Sequence, residues 1–158
     1  MVLTKRDISI ATGESLTGYT FNDAELLWEA EQASGSSAAF LYPEGNKRLA
    51  MIGDVVLKLV VLLDLRPRNM PKGSMNKIAE SIVGNTVLER IGRQIHLDEL
   101  VNNNQSQQGI VSPKTLADTF EAILGAVYLD SGKNIEAVRL VMANLGLWPQ
   151  EPEQLASL

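Results

Sequence analysis

Cysteine is absent from this chain of 158 residues, so neither a disulfide framework nor a thiolate metal site is available, and no thiol can act as nucleophile. Histidine occurs once, as His96 in Gln94-Ile95-His96-Leu97-Asp98, where it reads as a helix-end residue. One histidine and no cysteine give little support to a transition-metal site or a serine-histidine triad. The longest apolar run, Val55 to Leu65, is interrupted by Lys58 and Asp64 and is too short to span a bilayer. The first residues lack a secretory apolar core, and Asp7 and Glu14 weigh against a transit peptide. No strand-like alternation of useful length occurs, no internal repeat, and no glycine pattern of a phosphate-binding or dinucleotide loop. The expectation is a soluble, intracellular protein with no membrane partner; cytoplasm, nucleus and mitochondrion are left open.

What is present suits one all-α domain over residues 1–158, with a core at about 16–147 and a tail at 148–158. The net charge of −5 is unevenly spread. Residues 47 to 93 hold nine basic side chains against four acids, a balance of +5, which leaves −10 elsewhere. A local basic face on an acidic protein can hold phosphates, and Lys47, Arg48, Lys72 and Lys77 are candidates. Solvated helix faces explain the same residues equally well.

Helical periodicity runs through most of the chain. A short amphipathic segment is expected from Thr4 to about Ala11, punctuated by Gly13 and Gly18. Asn22 or Asp23 can cap a helix from Ala24 to about Gln32 that buries Leu26, Leu27 and Ala30. A long helix follows from about Lys47 to Leu65, with Leu49, Ile52, Val56, Leu59, Val60 and Leu63 at spacings of three and four. Its further apolar residues exceed what one core face needs, so it is central to the fold or shared with a second subunit. Gly53 in its middle points to close backbone approach. After the proline-bearing turn at 66–73, Ser74 is expected to cap one helix from about Met75 to Gly92, with Ile78, Ile82, Val83, Val87 and Ile91 inward. A shorter helix is expected at about 94–101, then a mobile uncharged loop from Asn102 to Gly109. Ser112 and Pro113 open a second apolar helix that ends near Asp130. A last one, Ile135 to Leu145, is expected to bury Val138, Leu140, Val141 and Met142, with Trp148 and Pro149 closing over the core.

Two of these helices carry acids where the pattern calls for core. Asp54 is explained by neither capping nor turn chemistry, while Asp118 and Glu121, three apart, project from one helical face. Should Asp54 face them, the three carboxylates form a cluster that calls for a cation, and oxygen-only ligation favours Mg²⁺ or Mn²⁺. The competing readings are a buried pair with an arginine for Asp54, and solvated surface acids for the other two.

The stretch Asn46-Lys47-Arg48-Leu49-Ala50-Met51-Ile52-Gly53-Asp54-Val55-Val56-Leu57 resembles the signature helix of the ribonuclease III family, which typically reads Asn-Glu-Arg-Leu-Glu-Phe-Leu-Gly-Asp-Ala-Val-Leu. Leu116 to Gly132, including Asp118-Thr119-Phe120-Glu121-Ala122, is similar to the family's second motif almost without change. Gly18 to Phe21, Ala24 to Ala30 and Ser81 to Asn85 add support in the same order. The resemblance implies an all-helical nuclease domain, a homodimer, and Mg²⁺-dependent cleavage of double-stranded or structured RNA that leaves 5′-phosphates. It implies that Asp54, Asp118 and Glu121 are catalytic metal ligands, and that Leu49, Met51, Ile52 and Val56, on the signature helix, contribute to the subunit interface.

The chain departs from the family where Ala50 stands at the first acidic ligand position and Lys47 replaces the other signature glutamate. A methyl cannot bind a cation, yet Mg²⁺ tolerates water in its shell, so the loss weakens the site and need not abolish it. About ten residues follow the last expected helix, which leaves RNA affinity to the dimer valley or to a partner protein. The expectation is therefore a weakened endoribonuclease; the alternatives are a catalytically inactive RNA-binding member and a scaffold subunit such as one of a mitochondrial ribosome.

Overall fold

The computed structural model describes residues 1–107 and 109–148, and every element in it is helical. The first helix, α1, spans Lys5–Thr17, opened by a reciprocal cap in which Thr4 Oγ1 accepts from the Asp7 amide and Asp7 accepts from the Thr4 amide. It does not stop near Ala11 as the sequence suggested. Gly13 continues the helix and lets it lie against the next one, because a Cβ there would stand 2.9 Å from Glu31 Oε1 and 3.0 Å from Leu27. Helix α2, Ala24–Ala30, is capped by Asp23 and ends two residues earlier than expected.

The long helix α3, Lys47–Leu65, has the bounds expected of it. Asn46 precedes it and, instead of capping, donates to Ala30 O at 2.8 Å and Thr119 Oγ1 at 3.0 Å. After a 3₁₀ turn at Arg66–Arg68, helix α4 spans Lys72–Val83 and α5 spans Asn85–Gln94. One helix over 75–92 was the expectation. Gly84 breaks it by taking an extended conformation, which re-aims α5 so that Leu88 and Ile91 reach the core. Nor does Ser74 cap: Pro71 stands at the N-cap, and Ser74 lies inside the first turn. The short helix expected at 94–101 is a 3₁₀ turn, Leu97–Leu100.

Helix α6, Pro113–Asp130, begins where Ser112 accepts from the Thr115 amide, and its run from Leu116 to Val127 is almost wholly buried. Helix α7, Ile135–Asn144, buries Val138, Val141 and Met142 but leaves Leu140 exposed, because Leu140 falls on the opposite side of that stripe. Trp148 closes over the core as expected, its indole donating to Asp64 at 3.0 Å while Arg139 holds the same carboxylate. Pro149 and the expected tail lie outside the described residues.

The centre of the molecule is the crossing of α3 and α6. A Cβ on Gly53 would fall 1.7 Å from the Glu121 carbonyl oxygen, and one on Gly125 would fall 2.3 Å from that of Leu49. The two backbones touch there, as the mid-helix glycine implied. On its outer side α3 leaves Met51, Val55, Leu59 and Leu63 exposed by 73, 66, 40 and 44%, one helical row in which Leu59 and Leu63 had been expected to face inward. No described helix is long and apolar enough to cross a membrane.

Candidate active site

The α3 and α6 crossing decides which carboxylates meet. Glu121 leaves α6 beside the contact with Gly53, Asp118 stands one turn earlier, and Asp54 follows Gly53 on α3. All three line one cavity, with Ala50 one turn before Asp54 and the basic side chains Lys47 and Lys114 at its edge. The structure thus brings together the acids that the sequence singled out.

Their surroundings differ from the expected buried triad. Asp54 is exposed, Asp118 is half-buried, and only Glu121 is buried, at 8% exposure. Lys114 reaches both oxygens of Asp118 at 3.1 and 3.2 Å, so the clamp on an acid is a lysine one turn back and not an arginine. Burial, then the negative charges of Asp54 and Asp118, push the Glu121 carboxyl up to about 8, against a smaller pull from Lys114. The Glu121 carboxylate has no hydrogen-bond donor among the described residues. Among those residues no three acidic, histidine or cysteine side chains are gathered tightly enough to hold an ion between them. The acids bound a cavity of about 380 Å³, against about 30 Å³ for one water in the liquid, and do not form a closed cage.

The donor set has the chemistry of a hard-cation site, but its three acids stand too far apart to close on one ion as they are placed here. It is oxygen-only, it contains a buried carboxylate with no partner and two acidic neighbours, and its cavity has room for an ion that keeps several waters. Ala50 contributes no donor.

Two residues at the site went unread in the sequence. Lys114 could have been found, since it precedes Asp118 by four on a helix; Glu44, in the turn before α3, carries no motif signal. Among the candidate RNA-binding residues, Lys47 lines the cavity, Arg48 is exposed near Glu29, and Lys72 and Lys77 are exposed on α4 away from it. Of the candidate interface residues, Met51 is exposed and Ile52 half-buried, whereas Leu49 and Val56 are in the protomer's own core.

A sequence profile of the Ribonuclease III domain matches residues 47–132, a span that starts at the first turn of α3 and contains Asp54, Asp118 and Glu121. The chain belongs to the ribonuclease III domain family. Among its relatives, Ribonuclease 3 of Nitratidesulfovibrio vulgaris is 37% identical over 144 residues, covering 87% of this chain and 56% of that protein. Ribonuclease 3 of Aliarcobacter butzleri is 34% identical over 126 residues, covering 77% and 54%. The chain therefore spans about half the length of the curated relatives it matches. The solved nuclease domain of ribonuclease III from Campylobacter jejuni superposes with a TM-score of 0.74 at 25% identity, over 94% of this chain and 99% of that one. A second structure of that domain, described for flexibility in a region involved in dimer formation, gives 0.72 at 28% identity, over 85% and 97%. The all-helical ribonuclease III fold expected from the sequence is the one observed.

Proposed function

We propose that this ribonuclease III domain is a divalent-metal-dependent endoribonuclease that hydrolyses double-stranded or structured RNA to 5′-phosphates, slowed by the loss of a ligand at Ala50. The observation that carries the reading is Glu121: a buried carboxylate with no donor, facing Asp54 and Asp118 across a cavity open to solvent. Burial and the charges of Asp54 and Asp118 disfavour its ionised form, and a cation in the water-filled cavity would relieve both. Asp54, Asp118 and Glu121 would hold Mg²⁺ or Mn²⁺, which supplies Lewis acidity toward a phosphate and an attacking water. Lys114 positions Asp118 through its paired contacts, and Lys47 offers positive charge to a phosphate. Arg48, Lys72 and Lys77 provide weaker, salt-sensitive contacts to the RNA backbone. Two copies would associate through α3, and the protein would act inside the cell, where its RNA is made.

Ala50 and the loosely spaced acids favour one other reading, an inactive member that binds RNA or serves as a scaffold in a ribosomal assembly. Cleavage of a labelled RNA duplex separates the two. The wild type is expected to cut slowly in Mn²⁺ or Mg²⁺, Ala50→Glu to cut at least about tenfold faster, equivalent to some 1.4 kcal/mol of barrier, and Glu121→Ala not to cut. No cleavage by the wild type and none by Ala50→Glu would leave the inactive reading.

A further inference from the structure

Glu44, in the turn before α3, lines the acidic cavity together with Ala50, Asp54, Asp118 and Glu121. That turn is firmly seated. Gly45 adopts φ +62°, and a Cβ there would lie 2.5 Å from Ser34 N and 2.7 Å from Gln32 O. The Ser34 hydroxyl donates to Glu44 O at 2.9 Å, and Gly45 N donates to Tyr42 O at 2.9 Å. The segment it rests on is anchored as well, Ala33 N donating to Asn102 O at 3.0 Å and Asn102 N to Glu31 O at 2.8 Å, where the sequence suggested the start of a mobile loop. A fixed backbone therefore presents residue 44 to the cavity, and its side chain alone has room to swing.

The acids of the cavity wall are not equally available. Lys114 engages both oxygens of Asp118, and Ala50 has no oxygen to give. Glu121 is only 8% exposed, accepts from no described donor and faces the cavity. The Glu44 carboxylate likewise accepts no hydrogen bond and forms no ion pair among the described residues, not even with Lys47 three residues on. Four acids share the wall with two lysines, a balance of −2, or −1 when Glu121 is protonated. The wall is thus short of positive charge and short of a donor at Ala50, while Glu44 is an uncommitted acid carried by neither α3 nor α6.

We propose that Glu44 is a cation ligand peculiar to this chain, supplying from the turn before α3 the carboxylate that Ala50 does not supply. Asp54, Asp118 and Glu121 stand too far apart to close on an ion by themselves. A long side chain on a fixed turn can move in, meeting the ion directly or through one of its waters. This role rests on the metal-dependent reading above and concerns capture of the ion, not cleavage.

The test is a Mn²⁺ titration of the full chain without RNA, with free Mn²⁺ read by electron paramagnetic resonance. Glu44→Gln is expected to weaken Mn²⁺ binding about tenfold. It should leave thermal unfolding in EDTA unchanged, since the side chain has no polar partner to lose. Ala50→Glu is expected to tighten binding and to make Glu44 dispensable, so that adding Glu44→Gln to it changes affinity by less than about twofold. Equal Mn²⁺ affinity in the wild type and Glu44→Gln would overturn the proposal. So would an equal drop in both backgrounds, which marks a general effect of charge, or a wild type that binds no Mn²⁺. A protein that meets these expectations and never cuts RNA defeats the nuclease reading and keeps Glu44 as ligand. One that cuts a duplex while Glu44→Gln binds Mn²⁺ like the wild type defeats the Glu44 ligand alone.

Discussion

Glu31 has no access to solvent, and only one of its carboxylate oxygens has a donor, the Ser9 hydroxyl at 2.6 Å. Burial pushes its carboxyl up to about 7, with the Ser9 bond opposing. No charged side chain offsets this. On α1, Arg6 pairs with Glu25 and Glu14 accepts from the Phe21 amide, so neither is directed at Glu31. The folded protein therefore holds the Glu31 proton more tightly than the unfolded chain does. Stability from this group is present at low pH, is lost as pH rises from about 4.5 to about 7, and stays lost above that. The cost of ionisation is of the order of 3 kcal/mol. Glu31→Gln is accordingly expected to be more stable at pH 8, by roughly 1–3 kcal/mol, and to gain little at pH 5. Urea denaturation at both pH values measures the difference, and an equal effect at the two would show that ionisation is not the cause.

At the scale of elements, the α3 and α6 crossing sets both fold and site. Gly53→Ala would drive a methyl into the Glu121 carbonyl, and backbone cannot yield as a side-chain end can. The two helices must part, which is expected to cost at least about 3 kcal/mol and to displace Glu121 from the cavity. Thermal unfolding checks the first effect. Loss of Mn²⁺-induced stabilisation relative to the wild type checks the second. This contact was legible in advance, because a glycine amid Ile52 and Asp54 on a long apolar helix has few other uses. The break at Gly84 was not. Ile78, Ile82, Val87 and Ile91 continue a helical spacing across it, and one glycine costs only about 1 kcal/mol, so the decision lies with packing of α5 on α6. At the site, spacing revealed that Asp118 and Glu121 share a face. It could not reveal that Asp54 is open to water, since exposure depends on which side of α3 the other helices cover.

For the whole molecule, the exposed row of Met51, Val55, Leu59 and Leu63 is the largest apolar feature on α3. A stable interface buries roughly 800 Å² on each partner, more than four side chains supply. The shallow groove formed by Leu26, Ile52 and Leu129 beside Met51 extends it. Leu59→Asp, the third residue of the row and clear of the acidic cavity, is expected to turn a dimer into a folded monomer. Sedimentation velocity with circular dichroism distinguishes this from unfolding, and a wild type that sediments as a monomer throughout would remove the interface.

Met51 belongs to both territories, lining the acidic cavity on one side and the apolar groove on the other. A second copy seated on the groove would therefore press on the wall beside Asp54, excluding water there and strengthening every electrostatic contact in the cavity. If the protein cleaves RNA as proposed, its specific activity should then fall on dilution below the dimer's dissociation constant, even with metal and RNA held saturating.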